Sequence, residues 1–270
     1  MATPQSNKKS RRVQPVRPES ELEEPFEPVN LSRPGLAAWL LLGPILSVVG
    51  VLGWLRICIE APSLDGTPIS WSALGLNFLL LLLFFLPHSL LARGFGRRFL
   101  NRPFGPDAER PVYVFISGVT LCVLVFSWKT TGPILWDYND GLLILSRLIQ
   151  TTGLLLATWA ALVVGGTQLL GLPQLRALEK GQHAPSQEFV ALPPYCWLRQ
   201  PINAGFLLFL LGMPEVTADR LLLGIGTAIW ILLCAPYEER DSEITFGTAY
   251  LDYKARTPRW IPKFGDRSES

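Results

Sequence analysis

The chain has few of the residues that build metal centres, disulfide frameworks or nucleic-acid surfaces. It contains two histidines, and its four cysteines stand singly, with no CxxC pair. This scarcity predicts neither a metal site nor a disulfide. Charged residues make up only 17% of the chain and the net charge is +2, which gives no basis for expecting a nucleic-acid partner.

Long apolar runs are what the chain has in abundance. Of its 270 residues, 49% are hydrophobic, and they form unbroken runs rather than the stripes of a soluble helix. Because a bilayer core needs roughly 20 apolar residues of helix, the runs predict an all-α polytopic membrane protein with five or six transmembrane helices. The runs cover residues 36–57, 71–92, 112–128, 142–164, 202–213 and 221–237.

The last two runs form a predicted C-terminal helical hairpin whose first arm is short. Residues 202–213 make about a dozen helical residues, or ~18 Å, against a hydrocarbon core of ~30 Å. Pro214 then ends the arm. The arm is either re-entrant or packed so deeply against protein that its neighbours satisfy its ends.

The distribution of lysine and arginine predicts the orientation in the membrane. All but four of the 24 basic residues fall in the N-terminal tail, the second and fourth loops and the C-terminal segment. The four exceptions are Arg56, Lys129, Arg147 and Arg220. By the positive-inside rule both termini are then cytosolic, and we expect a multi-pass protein of a bacterial inner membrane.

The predicted organisation has four parts. Residues 1–35 mix Lys, Arg, Glu and Pro without the apolar core of a signal peptide, which predicts a disordered cytosolic tail. Residues 36–170 hold the N-terminal transmembrane helices, residues 171–264 a site-forming loop, the hairpin and a C-terminal helix, and residues 265–270 a second tail. The stretch 172–199 is interrupted by Pro and Gly and is predicted to be a loop that walls the site.

Two polar motifs bracket the hairpin on the predicted cytosolic side. Before it, Arg199 stands near Pro201, which suits a helix first turn, and a helix N-terminus attracts a carboxylate or phosphate. After it, Glu238 and Glu239 follow the predicted C-terminus of the second arm, where the helix dipole disfavours negative charge. These carboxylates therefore need a cationic or hydroxyl-rich partner. A ligand with a carboxylate at one end and ammonium, sulfonium and ribose groups elsewhere fits both motifs, and S-adenosylmethionine is such a molecule.

The C-terminal segment carries a predicted cytosolic amphipathic helix. Phe246, Tyr250 and Tyr253 follow one another at i, i+4 and i+7, so they share one helix face. This aromatic face either lies on the membrane surface or roofs the site.

In their order and spacing these motifs resemble those of the isoprenylcysteine carboxyl methyltransferase-like and phospholipid methyltransferase-like membrane enzymes. That family is marked by an Arg-His-Pro-x-Tyr-x-Gly element, an apolar hairpin, a Glu-Glu pair, a Gly-x-x-Tyr-x-x-Tyr element and a Pro-Arg-x-x-Pro close. Upstream, residues 87–93, 109–113 and 135–137 resemble the bacterial branch that contains methanethiol S-methyltransferases and denitrification-associated proteins. The resemblance covers roughly residues 70–264, and the matching positions are Arg199, Pro201, Gly205, Glu238, Glu239, Gly247, Tyr250, Tyr253, Pro258, Arg259 and Pro262.

The resemblance implies S-adenosylmethionine as cofactor, methyl transfer to a small thiol or another lipid-soluble acceptor, and contact with membrane lipid. The reaction is then a direct in-line displacement that needs no metal. Glu239 or His88 is the expected proton acceptor for a thiol, and Tyr113 and Arg259 are the expected substrate contacts. The expected cofactor-binding residues are Arg199, Gln200, Pro201, Asn203, Gly205, Glu238, Glu239 and Tyr250.

Two positions depart from the family pattern. Gln200 stands where the family has His, and Asn203 stands where it has Tyr. Gln200 forms hydrogen bonds but carries no proton charge near neutral pH. If the family histidine does acid–base work, this chain is a catalytically impaired member that acts as a membrane accessory or binding protein. If the histidine only orients the cofactor, Gln200 replaces it.

Overall fold

The structure is a computed structural model that describes residues 34–60, 68–104, 107–180, 182–183 and 189–262. Except for the two residues that begin the first helix, the predicted tails 1–35 and 265–270 lie outside these ranges. The elements in chain order are α1 (Pro34–Ile59), α2 (Trp71–Leu91), α3 (Gly94–Phe104), α4 (Glu109–Ser127), β1 (Ile134–Asp137), α5 (Asp140–Val164), α6 (Gly166–Leu169), α7 (Leu172–Glu179), α8 (Pro201–Leu211), β2 (Glu215–Thr217), α9 (Ala218–Phe246) and α10 (Thr248–Arg256).

Five helices among the described residues are long and apolar enough to cross a membrane, namely α1, α2, α4, α5 and α9. Exposed leucine, isoleucine, valine and phenylalanine side chains run along these helices, as they do on a surface that faces lipid. The predicted all-α polytopic fold is confirmed, and each predicted apolar run falls on a helix.

The short arm of the hairpin is α8, which packs along α5. Its 11 residues rise about 16 Å, so the helix itself is shorter than a bilayer core. A Cβ added to Gly205 would lie 2.6 Å from the backbone nitrogen of Ala157 and 2.7 Å from the carbonyl oxygen of Gly153. Glycine at 153 and 205 therefore allows the two backbones to approach closely, which is how membrane helices commonly pack.

Both ends of α8 are satisfied by neighbouring protein. At its end, Ser146 of α5 donates a hydrogen bond of 2.8 Å to the carbonyl oxygen of Gly212. Just before its start, the backbone nitrogen of Gln200 donates to the carbonyl oxygen of Arg259. Of the two alternatives left open by the sequence, the structure has the arm packed against protein.

α9 is longer than the predicted second arm. It runs for 29 residues and passes through Pro236, because one missing backbone N–H bends a helix without ending it where the packing holds both halves. Glu238 and Glu239 therefore lie inside the helix, about two turns before its end. The expectation that they sit at a helix C-terminus is wrong. The helix ends at Gly247, whose φ of +56° favours glycine.

Gly247 also divides the predicted amphipathic helix into two. Phe246 ends α9, whereas Tyr250 and Tyr253 lie on α10. The three rings still meet, because each packs against the ring of Phe189, with centroid separations of 5.4, 6.1 and 5.3 Å. The aromatic face thus contacts the segment before α8 through Phe189.

Two short helices occupy stretches predicted as loops. α3 lies between α2 and α4, and α7 takes up the first part of the stretch 172–199. α7 begins with a proline in its first turn and buries Leu175 against Leu100 and Val112. Its eight residues are too few for a periodic signal in the sequence, so this part of the loop prediction is wrong for a reason of length.

The opposite end of the bundle is closed by a small antiparallel pair of strands that the sequence did not predict. β1 pairs with β2 so that Ile134 lies opposite Thr217. Asp219, which is fully buried, accepts hydrogen bonds from the Trp128 indole at 2.9 Å and from the backbone nitrogen of Thr131 at 3.0 Å. These bonds fix the start of α9 and so the register of its site-forming end.

Candidate active site

Two adjoining cavities lie at the end of the bundle where α2 and α9 end and α4 begins. The larger has a volume of about 260 Å³ and is partly open to the surface. It is lined by His88, Ser89, Ala92 and Arg93 at the end of α2, Arg97 of α3, Arg110 and Tyr113 of α4, and Glu238, Asp241, Ser242, Thr245 and Phe246 of α9. Three residues singled out from the sequence, His88, Tyr113 and Glu238, thus lie around one cavity.

The wall of the larger cavity carries charges of both signs. Arg93 and Arg110 supply guanidinium groups, and Glu238 and Asp241 of α9 supply carboxylates. Arg93 lies over the ring of Tyr237, 4.7 Å from its centroid, and interacts electrostatically with Glu238. A zwitterionic ligand fits such a site with its carboxylate toward the arginines and its positive group toward the carboxylates.

His88 is held on the cavity wall by two hydroxyl groups of α4. Its Nδ1 lies 3.1 Å from Oη of Tyr113 and 3.3 Å from Oγ of Ser117. These two residues are one helical turn apart, so α4 alone sets the position of both partners. The His88 ring also packs on Phe84, with the centroids 5.0 Å apart. An imidazole oriented in this way can accept or donate a proton at the cavity wall.

Gln200 and Asn203, the two departures from the family pattern, meet Glu238 at the rim of this cavity. The Nδ2 amide of Asn203 donates to Oε1 of Gln200 at 2.7 Å and to Oε2 of Glu238 at 3.2 Å. The two amides therefore form one hydrogen-bonded group with a cavity carboxylate, and this group joins the start of α8 to α9.

Arg199, Glu239 and Arg259 form a separate cluster, which we call the carboxylate clamp. Each guanidinium contacts both carboxylate oxygens of Glu239, at 2.8 and 3.2 Å from Arg199 and at 2.9 and 2.8 Å from Arg259. The Glu239 side chain is only 1% exposed. Arg199 also donates to the carbonyl oxygens of Lys254 and Thr257, at 3.1 and 2.5 Å. The clamp ties α9 to the segment before α8 and to the segment after α10.

The clamp lies beside the larger cavity without lining it. In the part of the chain that the structure describes, neither Arg199 nor Glu239 belongs to the wall of either cavity. Hydrogen bonds from Arg259 to Glu239 raise the pKa of Arg259, which stays cationic. Tyr250 lies close to the clamp: burial and then the Glu239 carboxylate raise the pKa of Tyr250 to about 12.

Pro201 and Gly205 occupy packing positions at the start of α8. Pro201 is buried in the first turn, where its missing N–H costs nothing. Gly205 faces α5, as described above. Both therefore set where α8 lies, and through α8 the position of Asn203.

The smaller cavity has a volume of about 180 Å³ and shares part of its wall with the larger one. Arg110 reaches both, and its Nη2 donates a hydrogen bond of 2.9 Å to the carbonyl oxygen of Leu169. The shared residues are Ala92, Arg97, Arg110 and Tyr113, and the others are Leu91, Glu109, Val164, Gln168, Leu169 and Gln174. This cavity was not predicted from the sequence, because α6 and α7, which were not predicted as helices, supply Gln168, Leu169 and Gln174 of its wall.

Asp241, Ser242 and Thr245 are cavity residues that the sequence analysis did not single out. With Glu238 they follow the spacing i, i+3, i+4 and i+7, which is one face of a helix. This helical spacing is present in the sequence, but it is recognised only when α9 is taken to continue past Pro236.

Comparison with known proteins identifies the family. A methanethiol S-methyltransferase from Mycobacterium tuberculosis is 31% identical over 195 residues, which cover 70% of this chain and 78% of that protein. This chain belongs to the methanethiol S-methyltransferase family. Methanethiol S-methyltransferase 2 from Bradyrhizobium diazoefficiens is 29% identical over 220 residues, or 81% of this chain and 85% of that protein.

A second group of relatives extends this family. Nurim from Xenopus laevis is 29% identical over 200 residues, which cover 66% of this chain and 69% of that protein. The resemblance inferred from the motifs is confirmed, and the chain is a membrane methyltransferase by family. No protein-family model and no solved structure matches the chain.

Proposed function

We propose that this protein transfers a methyl group from S-adenosylmethionine to the sulfur of a small thiol. The observation that carries the proposal is the cavity whose wall combines His88 and Tyr113 with guanidinium groups and carboxylates. The relatives named methanethiol S-methyltransferase supply the acceptor class, because methanethiol is a very small thiol.

The residues around the larger cavity fit this cofactor in charge and in space. Arg93 and Arg110 suit its carboxylate, and Glu238 and Asp241 suit its ammonium and ribose hydroxyl groups. The cavity of about 260 Å³ is slightly smaller than the ~300 Å³ at which ligand pockets usually begin. A nucleoside would therefore extend past the cavity toward Asn203, whose Nδ2 already donates both of its hydrogens and whose Oδ1 can accept a hydrogen bond.

The protein groups supply proton transfer and alignment. When bound, S-adenosylmethionine supplies an electrophilic methyl group on a sulfonium. His88 accepts the proton of the thiol while Tyr113 and Ser117 hold the imidazole. The thiol sulfur forms the new S–C bond, and the sulfonium S–C bond breaks with its electron pair left on the departing thioether. Holding the two sulfur atoms and the methyl carbon in line provides most of the acceleration.

We assign the role of proton acceptor to His88 in preference to Glu239. Both carboxylate oxygens of Glu239 already accept hydrogen bonds from two guanidinium groups. Protonating such a carboxylate breaks a buried ion pair and is therefore costly. In this proposal Arg199, Glu239 and Arg259 support the cofactor indirectly, by fixing the turn of α9 that points Glu238 into the cavity.

Gln200 and Asn203 favour one alternative function. If the family requires the proton chemistry of a histidine at position 200, this chain binds cofactor without turnover and serves as a membrane accessory or binding protein. The hydrogen bonds among Gln200, Asn203 and Glu238 support the catalytic proposal instead, because they give the two amides a positioning role that needs no proton transfer.

The same proposal places the cavities on the cytosolic side of a bacterial inner membrane. Arginines concentrate at the end of the bundle that carries the cavities, including Arg93, Arg97 and Arg110, as the positive-inside rule requires for a cytosolic end. S-adenosylmethionine is a cytosolic metabolite, and a small thiol reaches the site from either phase.

Ligand binding and turnover test the proposal separately. The purified protein in detergent is titrated with S-adenosylhomocysteine by calorimetry, and turnover is measured as dimethyl sulfide in the headspace after addition of S-adenosylmethionine and methanethiol. The Glu238→Gln variant is the test, and Asp252→Asn, on the exposed face of α10, is its matched control.

We expect binding and product from the parent and the control, and weaker binding with less product from Glu238→Gln. Absence of binding at millimolar ligand would contradict the proposal. Ligand binding without formation of dimethyl sulfide would overturn the proposed methyl transfer and favour the alternative function of an accessory or binding protein.

A further inference from the structure

We propose that the smaller cavity is the acceptor subsite, and that it takes a neutral thiol with a short alkyl chain. The sulfur lies toward Arg110 and Tyr113, and the alkyl group lies against Val164 and Leu169. The inference rests on the proposed function and adds to it the location of the acceptor and the limit on its size.

The position of the smaller cavity suits an acceptor that must reach a methyl group in its neighbour. In-line transfer needs the reacting atoms about 3 to 3.5 Å apart, so donor and acceptor must share a boundary. Ala92, Arg110 and Tyr113 belong to both walls. Ala92 has the smallest of these side chains, which leaves room for contact between the two ligands at this boundary.

The wall of the smaller cavity is apolar on one side and polar on the other. Leu91 of α2, Val164 of α5 and Leu169 of α6 contribute hydrocarbon, whereas Gln168 and Gln174 contribute amides. An alkyl thiol has the same division, with a hydrocarbon chain at one end and a polarisable S–H group at the other. Leu91 and Val164 end two membrane-spanning helices, so the apolar side lies where a thiol dissolved in lipid arrives.

Arg110 and Tyr113, which line both cavities, suit the sulfur end. The Tyr113 hydroxyl lies 3.1 Å from Nδ1 of His88, so the proton of the thiol passes to His88 through this hydroxyl. The guanidinium of Arg110 attracts the thiolate that forms when the proton leaves.

The volume sets the size limit. A water-sized group occupies ~30 Å³, so 180 Å³ holds roughly six such groups. Methanethiol and its next homologues fit this space. A prenyl chain or a phospholipid head group with its glycerol is larger than this space and would have to extend through the partly open side of the cavity.

Competition between thiols tests this inference without depending on how much of each variant is folded. Methanethiol and hexanethiol, whose chain is longer than this space holds, are supplied together with S-adenosylmethionine, and the ratio of methyl hexyl sulfide to dimethyl sulfide is measured in the headspace. The variants Val164→Ala and Leu169→Ala enlarge the cavity. Leu162→Ala is the matched control, because Leu162 lies on α5 two residues earlier and is 68% exposed.

We expect the product ratio to rise on the order of tenfold in the enlarged variants, since an apolar pocket discriminates about this much per methylene. The ratio of the control should equal that of the parent. A ratio unchanged in both enlarged variants, or raised equally in the control, would overturn the acceptor subsite while leaving methyl transfer in place. A parent protein that methylates neither thiol would instead refute the proposed function itself.

Discussion

Neighbouring carboxylates on α9 should respond differently to the same substitution. Glu239 is buried in the carboxylate clamp, whereas Glu238 lines the larger cavity. Replacing either by glutamine removes a charge while keeping the shape. We therefore expect Glu239→Gln to lower stability and Glu238→Gln to lower ligand binding, so that one pair of variants separates the structural from the ligand-binding carboxylate.

The magnitude for Glu239→Gln follows from its contacts. Removing one partner of a buried ion pair costs about 3–5 kcal/mol. Arg199 is 11% exposed and remains held by two backbone carbonyl groups, so its charge stays buried without a counter-ion, whereas Arg259, 31% exposed, can turn toward water. The lower end, about 3 kcal/mol, is therefore expected. For a chain of this size it corresponds to roughly 10 °C in the unfolding midpoint.

Glu238→Gln is the contrasting variant. A hydrogen bond to a charged group contributes about 1.5–3 kcal/mol, which corresponds to a tenfold to hundredfold loss in affinity for S-adenosylhomocysteine. Its midpoint should stay close to that of the parent, because surface substitutions usually change stability by less than about 0.5 kcal/mol.

Thermal unfolding in detergent and calorimetric titration measure the two effects on the same samples. If Glu239→Gln keeps the parent midpoint and loses only ligand affinity, the clamp is a binding site and the division of roles is wrong. A large fall in the unfolding midpoint of Glu238→Gln would show that Glu238 also has a structural role, and would refute the same division of roles.

Three further predictions concern the imidazole, the helix packing and the amide pair. His88→Asn should lower turnover about 10²- to 10⁴-fold. The loss should be smaller with trifluoroethanethiol than with ethanethiol, because the more acidic thiol needs less help from a base. Equal losses with the two thiols would contradict proton transfer by His88. Gly205→Ala should lower the unfolding midpoint, since the added Cβ would lie 2.6 Å from the backbone of Ala157. The control Gly75→Ala, with open space around it, should leave the midpoint unchanged or raise it. Equal midpoints of the two variants would refute the close packing of α5 and α8. The substitutions Gln200→Ala and Asn203→Ala should be non-additive in their effect on S-adenosylhomocysteine affinity, because the two amides are hydrogen-bonded, and additive losses would show that they act independently.

The transmembrane helices were predictable because their signal is local. A run of about twenty apolar residues has few other structures available to it in a bilayer, and each such run became a helix. The end of α9 was not predictable from its apolar content, because the helix continues for nine residues after Tyr237, and seven of these are polar or charged. Glu239 and Glu243 in this stretch bind Arg199, Arg259 and Lys254. These long-range contacts help to hold the stretch in a helix, and the local sequence does not reveal them.

The sequence was enough to predict several residues of the candidate site, but not which of them lie together in the fold. His88, Tyr113 and Glu238 were singled out from separate motifs, and the fold brings them to one cavity. Arg199 and Glu239 were expected to hold a ligand between them, and they contact each other directly. Charge alone could not distinguish these outcomes, since a guanidinium and a carboxylate at one end of a bundle attract a zwitterion and each other by the same force.

The most direct test of the account is an experimental structure of the protein with S-adenosylhomocysteine bound. We predict ligand density in the larger cavity, with its charged end between Arg93, Arg110 and Glu238 and with the Arg199 and Arg259 contacts to Glu239 intact. Density between Arg199 and Glu239, with their ion pair opened to receive the ligand, would contradict it.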